Sequence, residues 1–224
     1  MTAGPFSDPA AVASYVEGPP RAVPGFAAAH ALVDGLLAET VPDDGRVLVV
    51  GAGGGLELAH LAARHDGWRF DGVDPSAAML RLARTTLGPL ASRIELHEGY
   101  AADAPEGPFD GATCLLTLHF VPVADRVPTL REIRRRLRPG APLLTLHHSV
   151  PGGDARRTWL ERSVRFATGP GAPAEQVARS AATMDERLAL CTPEEDERLL
   201  RDAGFTRVAQ YFGALTFRGW IAHA

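Results

Sequence analysis

Between Arg46 and His147, short apolar runs alternate with stretches whose apolar residues recur at helical spacing. Val47–Val50 is a run of four apolar β-formers between Asp44-Gly45 and a glycine cluster, the pattern of a strand buried on both faces. Trp68–Val73, Arg93–Glu98, Phe109–Leu116 and Pro142–His147 read as four further strands. Between them, Leu56–Arg64 carries Leu58, Leu61 and Ala62 on one face, and Val123–Leu137 turns Val127, Leu130, Ile133 and Leu137 inward. Ala77–Leu87 is a third helix, and Gly25–Thr40 precedes the first strand with Phe26, Ala29, Val33, Leu36 and Leu37 at helical spacing. The alternation predicts a mostly parallel sheet with helices on both faces.

The two ends depart from this rhythm. Residues 1–25 are rich in Pro, Ala and Gly; Asp8-Pro9 opens a short helix to about Glu17, which Gly18-Pro19-Pro20 breaks. From Ser149 two helical stretches, one with Trp159, Leu160, Val164 and Phe166 and one over Glu175–Leu190, flank Gly169-Pro170-Gly171-Ala172-Pro173. Residues 149–191 thus read as a helical insertion after the fifth strand, over the carboxyl ends of the strands where ligands bind in such sheets. Thr192-Pro193-Glu194-Glu195 starts a helix with a capping-box pattern. Val208–Phe212 and Leu215–Ala222 close the chain as an antiparallel pair turning around Gly213.

The chemistry concentrates in Gly51-Ala52-Gly53-Gly54-Gly55, between the first strand and its helix. Glycines there allow a sharp turn and close approach of a ligand, and the helix N-terminus offers free N–H groups. Leu56 occupies the position where a dinucleotide fingerprint needs a third small residue, and no G-K-[ST] follows for a triphosphate. Asp74 ends the second strand about 20 residues on, where a carboxylate can accept hydrogen bonds from both ribose hydroxyls. A structural turn and an ordinary helix cap are the plain alternatives for these two features.

Composition narrows the partners. The 224 residues suit one domain, 46% hydrophobic and 22% charged, with net charge −4, which disfavours a protein held by phosphate backbones. The run Arg134-Arg135-Arg136 with Arg138 reads as a solvated helix face. Cys114 and Cys191 read as reduced thiols. No leader or membrane-spanning run is read, so a cytoplasmic protein is expected.

Taken in order, VLVVGAGGG, VDPSAAML, FDGATCLLTLHF, LRPGAPLLTL and LLRDAGF resemble the class I S-adenosylmethionine (SAM) dependent methyltransferases. That resemblance implies a Rossmann-like α/β fold of seven strands, mostly parallel, with the last antiparallel and helices on both faces. It implies SAM as cofactor, S-adenosylhomocysteine (SAH) as product and a small-molecule acceptor; a membrane or nucleic-acid partner is not expected, and a homodimer is compatible with it. Gly51, Gly53 and Gly55 would surround the methionine part, Asp74 the ribose, and Pro75 and Met79 the adenine. Ala52, Ala101 and Leu116 complete the implied cofactor set. Within the class, Arg21-Ala22-Val23-Pro24-Gly25-Phe26 and Thr117-Leu118-His119-Phe120 are similar to segments of the carboxy-SAM synthases, where the first covers the cofactor. Arg21 and Phe26 thereby join the cofactor set, residues 1–25 become a covering segment, and Arg179 resembles the arginine that holds the extra carboxylate. Val49 stands where the family has an acid near the methionine amine, Tyr100 where it has one for the adenine, and Phe26 where it has tyrosine.

Methyl transfer from a sulfonium needs alignment and exclusion of water, and a general base only if the nucleophile must lose a proton early. His119, His147 and His148, at the ends of the fourth and fifth strands, are the candidate bases. They lack the Cys or carboxylate partners of a metal site. The expected function is transfer of a methyl group by in-line displacement. A carboxy-SAM enzyme is the first alternative and a non-catalytic SAM-binding protein the second. A nicotinamide oxidoreductase is disfavoured by Leu56 and the antiparallel ending.

Overall fold

The computed structural model describes Val12 and residues 15–224, so most of the helix expected from Asp8 to Glu17 lies outside the described residues. Seven strands form one sheet in the order β3-β2-β1-β4-β5-β7-β6. These are β1 (Arg46–Val50), β2 (Arg69–Asp74), β3 (Ile94–Glu98), β4 (Gly111–Leu115), β5 (Pro142–His148), β6 (Thr206–Ala214) and β7 (Phe217–His223). The first five pair in parallel, and β7 runs antiparallel to both β5 and β6. The order reverses between β1 and β4, the switch point at which open sheets of this kind hold ligands.

Eight α-helices lie around the sheet among the described residues: α1 (Gly18–Ala22), α2 (Phe26–Ala38), α3 (Leu56–Ala62), α4 (Ala77–Leu87), α5 (Val123–Arg136), α6 (Ala155–Thr168), α7 (Ala174–Arg187) and α8 (Pro193–Asp202). One core, with Val47, Val49, Leu58, Leu61 and Phe70, lies under α2 and α3; the other, with Leu48, Val50, Leu130, Ile133 and Trp220, lies under α5 and α8. Successive residues of β1 thus enter opposite cores, as the strand's two-residue period requires. No helix among the described residues is long and apolar enough to cross a membrane.

Three expectations change. Gly18-Pro19-Pro20 does not break a helix but begins α1, because its prolines fall in the first turn, where the missing N–H groups have no intrahelical partner to lose. The final turn falls at Leu215-Thr216, two residues beyond Gly213, with Leu215 in the left-handed region at φ 51°. Arg136 leaves the expected solvated face and is buried, donating to the carbonyls of Ala102 at 2.7 Å and Ala104 at 3.1 Å and to the Glu132 carboxylate. Its position lets the guanidinium satisfy carbonyls that end the preceding loop, while Arg135 stays outside with Glu106 at 2.7 Å.

The insertion is a helical hairpin, α6 and α7, with its own small core of Val150, Leu160, Val164, Val177, Ala181 and Leu190. Its two ends meet at a neck where Ser149 bridges Cys191 and the Val150 N–H donates to the Cys191 carbonyl at 3.0 Å. It is tied to the sheet by the Thr216 hydroxyl, which donates to Ser163 at 2.9 Å, and α1 packs against α6.

Candidate functional site

The first strand ends in a loop whose backbone only glycine adopts without strain. Gly51 has φ 80°, and a Cβ there would lie 2.0 Å from the Thr117 hydroxyl, so the β1 and β4 loops close against each other at the switch point. Gly55, at φ 81°, faces the Ala83 backbone at 3.0 Å; its part is to let α3 pack on α4. Gly53 donates its N–H to Asp74 Oδ2 at 2.9 Å, and Ser76 donates to Asp74 Oδ1 at 2.9 Å. Ser76, not Asp74, caps α4, accepting from the Met79 N–H at 3.3 Å. Desolvation raises the Asp74 pKa against the lowering by these two N–H groups. Each carboxylate oxygen retains acceptor capacity for a hydroxyl.

Above the loop is a shallow crevice enclosing about 330 Å³ of space, most of it open to solvent. Phe26, Gly51, Ala52 and Leu116 of the expected cofactor set line it, together with Tyr15, His30 and Glu57, which sequence reasoning missed. Tyr15 lies across the loop: a Cβ on Gly53 would stand 3.1 Å from its hydroxyl, and one on Gly54 would stand 2.9 Å from its ring. Burial, then the charges of Asp74 and Glu57, push its phenol up to about 12. Glu57 is 7% exposed, and burial pushes its carboxyl up to about 7 against the opposing pull of the Thr113 hydroxyl. His30 donates from Nδ1 to the Phe26 carbonyl at 3.0 Å, and burial lowers its pKa.

The remaining expected residues spread outward. Met79 and Ala101 are buried, Pro75 is exposed beside Asp74, and Tyr100 is 70% exposed. Arg21 points to solvent and pairs with Glu17 at 2.7 Å; Arg179 does likewise with Glu175 at 3.6 Å. Trp159 carries the Arg162 guanidinium 4.7 Å above its ring, and Phe166 is half exposed.

The three histidines divide. His119 and His148 meet edge to face with ring centres 5.0 Å apart, and the His148 N–H donates to His119 Nδ1 at 3.4 Å. His148 Nδ1 bonds Thr216 Oγ1 at 2.8 Å. Burial lowers His148 to about 3 and His119 well below the usual range, each helped by the neighbouring imidazoles, so both are neutral at pH 7. His147, one step along β5, faces the other core, with Nε2 3.2 Å from Asp196 and its ring against Trp220. None of the three lines the crevice.

Asp71, Glu95 and His97 bring possible metal donors together on β2 and β3, but Arg46 at 2.7 Å and His97 at 2.9 Å already engage both Asp71 oxygens. Both cysteines are free and buried.

A doubly wound seven-stranded sheet with its last strand antiparallel, a glycine loop and an acid ending β2 define a class I SAM-dependent methyltransferase fold. A family model described as a methyltransferase domain matches residues 47–140. The carboxy-S-adenosyl-L-methionine synthase of Chromohalobacter salexigens is 29% identical over 208 residues, covering 90% of this chain and 77% of that protein. That of one Pseudomonas putida strain is 30% identical over 216 residues, covering 90% and 85%. Within the class, the chain belongs to the carboxy-SAM synthase-like branch. Among solved structures, a Nostoc punctiforme protein assigned as an O-methyltransferase superposes with a TM-score of 0.70 at 21% identity, covering 97% of this chain. Human N-acetylserotonin methyltransferase, in complex with SAM, gives 0.61 at 17% identity, covering 87%. These structures are longer: the chain spans 61% and 50% of them.

The glycine loop, Asp74 with spare acceptor capacity at the end of β2, and the buried Glu57 among the lining residues are compatible with a cationic nucleoside. Asp74→Ala is expected to weaken SAH binding roughly ten- to a hundredfold, the equivalent of about 1.5–3 kcal/mol for charge-assisted hydrogen bonds. Calorimetry is the measurement, and unchanged affinity in the folded variant would remove Asp74 from the ribose site.

Proposed function

We propose that the protein is a SAM-dependent methyltransferase acting on a small-molecule acceptor. The observation that carries this reading is the charge of the crevice wall. A carboxylated sulfonium brings an extra carboxylate, which in a covered site needs a cation, best a guanidinium. The described residues lining the crevice include no Lys or Arg, and Glu57 would repel that carboxylate. Arg21 and Arg179 are exposed and already paired. SAM itself, with an ammonium and a sulfonium against a single carboxylate, keeps a net positive charge that suits an acidic wall.

When bound, SAM supplies an electrophilic methyl group open to in-line displacement. The chain's work is then to hold, align and exclude water. The glycine loop and Asp74 hold the nucleoside, and Tyr15 and Phe26 cover it. Residues 149–191 shape the acceptor side, with Trp159 and Phe166 as candidate contacts. For an acceptor that must lose a proton, His119 and His148 offer neutral imidazoles, but their lowered basicity and their place off the crevice wall suit an acceptor that needs no base, and His147 is turned to Asp196.

The activity for which the relatives are named supports a second reading, synthesis or binding of carboxy-SAM. Mass spectrometry of ligand released from freshly purified protein separates the two, repeated after incubation with SAM and prephenate, the carboxyl donor of the synthases that this sequence resembles. SAM or SAH alone is the expected result. A carboxylated sulfonium at near-stoichiometric occupancy would overturn the proposal.

A further inference from the structure

Glu57 is the second residue of α3, directly after the glycine loop. Its carboxylate is buried, its Oε1 makes no well-formed hydrogen bond among the described residues, the nearby Thr113 hydroxyl only partly offsets its burial, and no Lys or Arg among them pairs with it. An acid so placed is costly unless a cation meets it. The strands beneath offer no substitute: Val49 and Thr113 are register partners on β1 and β4, and Val49 packs in the same core as Leu58 and Leu61 of α3. Glu57 therefore supplies the carboxylate on this face of the switch point, and it does so on the wall of the crevice, beside Gly51, Ala52 and Gly54.

We propose that Glu57 is the counter-ion for the α-ammonium of the ligand's amino-acid part, a carboxylate carried by the helix where the strand presents Val49. The inference rests on the assignment of the crevice to a SAM-type ligand. The ammonium is favoured over the sulfonium because it alone donates hydrogen bonds to a carboxylate.

The surroundings make this contact sensitive to pH. Tyr15 from the N-terminal segment and Cys114 of β4 are pushed up to about 12, Tyr211 of β6 is raised, and His30 of α2 is lowered, each by burial first. All four are uncharged near neutrality, and Asp74 lies beyond Tyr15 as the other acid. Glu57, with a ligand-free carboxyl near 7, is then the group that ionises when the ammonium arrives. Below that pH, binding must release its proton, so affinity rises with pH between about 6 and 8.

Calorimetry on the full chain tests this with two ligands: SAH, which carries the ammonium, and 5′-methylthioadenosine, which lacks the whole amino-acid part. Glu57→Gln is expected to weaken SAH roughly ten- to a hundredfold and to leave 5′-methylthioadenosine unchanged. At pH 6, titrations in buffers of different ionisation enthalpy should show release of about one proton by the native protein and none by Glu57→Gln. If that variant does not fold, Glu57→Asp should keep the proton release while weakening SAH. Equal SAH affinity in Glu57→Gln, or no proton release by the native protein, overturns the counter-ion role while normal 5′-methylthioadenosine binding leaves the crevice assignment standing. Failure of both ligands to bind the native protein overturns the assignment itself, and the counter-ion with it.

Discussion

Replacing residues 152–187 by a short glycine–serine linker is expected to abolish turnover of any acceptor the intact protein methylates, with SAH affinity kept within a few-fold. The hairpin α6–α7 has its own apolar core and leaves and rejoins the sheet at one neck, so its removal exposes little of the two main cores. The cut leaves Ala189 in place, whose N–H donates to the His119 carbonyl at 2.9 Å. It removes Ser163, the partner of Thr216, and the surface of α6 on which α1 rests. Loosening α1 accounts for the few-fold allowance, since α1 follows the segment that carries Tyr15. Acceptor alignment would be lost altogether, and effective molarity with it. SAH calorimetry beside a turnover assay reads the two effects separately. Collapse of SAH affinity in a folded variant would assign the hairpin to the cofactor instead.

The other large effect is expected from Arg126, on a helix face that hydropathy reads as polar. Its guanidinium is wholly buried and donates to Asp196 Oδ1 at 2.7 Å and to the Ala189 carbonyl, joining α5 to α8 and to the base of the insertion. Arg126→Ala leaves Asp196 charged, buried and facing a histidine, which typically costs about 3–5 kcal/mol. Against a total stability of roughly 5–15 kcal/mol, that is a large fraction. The double variant Arg126→Met with Asp196→Leu should recover most of the loss, because no charge is then left unpaired. Urea unfolding of the three proteins measures this. A loss below about 1 kcal/mol in Arg126→Ala would mean that water or rearrangement satisfies Asp196.

Arg126 and Asp74 differ in how much of their setting is local. The position of Asp74 was legible because it is set by its neighbours: an acid at a strand end, just before a capped helix and a short distance after a glycine loop. Arg126 and Arg136 were not, because long side chains carry their charge away from the backbone, and their partners lie far along the chain at Asp196 and at Ala102. Glu57 was hidden for a related reason. An acid in the first turn of a helix is ordinary, since it faces the positive end of the dipole. Only the packing of α3 on β1 and β4 turns this one inward. Tyr15 lies in a Pro- and Gly-rich stretch with no periodicity, so nothing in its neighbours pointed to the glycine loop that it crosses.

The sequence alone determined the five parallel strands, the helices between them, the insertion after the fifth strand and the glycine loop. These follow from apolar periodicity and from residues whose backbone preferences act over a few positions. The antiparallel ending was also legible, though its turn fell two residues later than expected. Tertiary structure decided which of the clustered residues share a site. Strand alternation sends His147 to the Asp196 side and leaves His119 and His148 together, although His147 and His148 are neighbours in the chain. It also decided the charge of the crevice, because whether a carboxylate faces a cavity, a cation or solvent depends on contacts between elements distant in sequence.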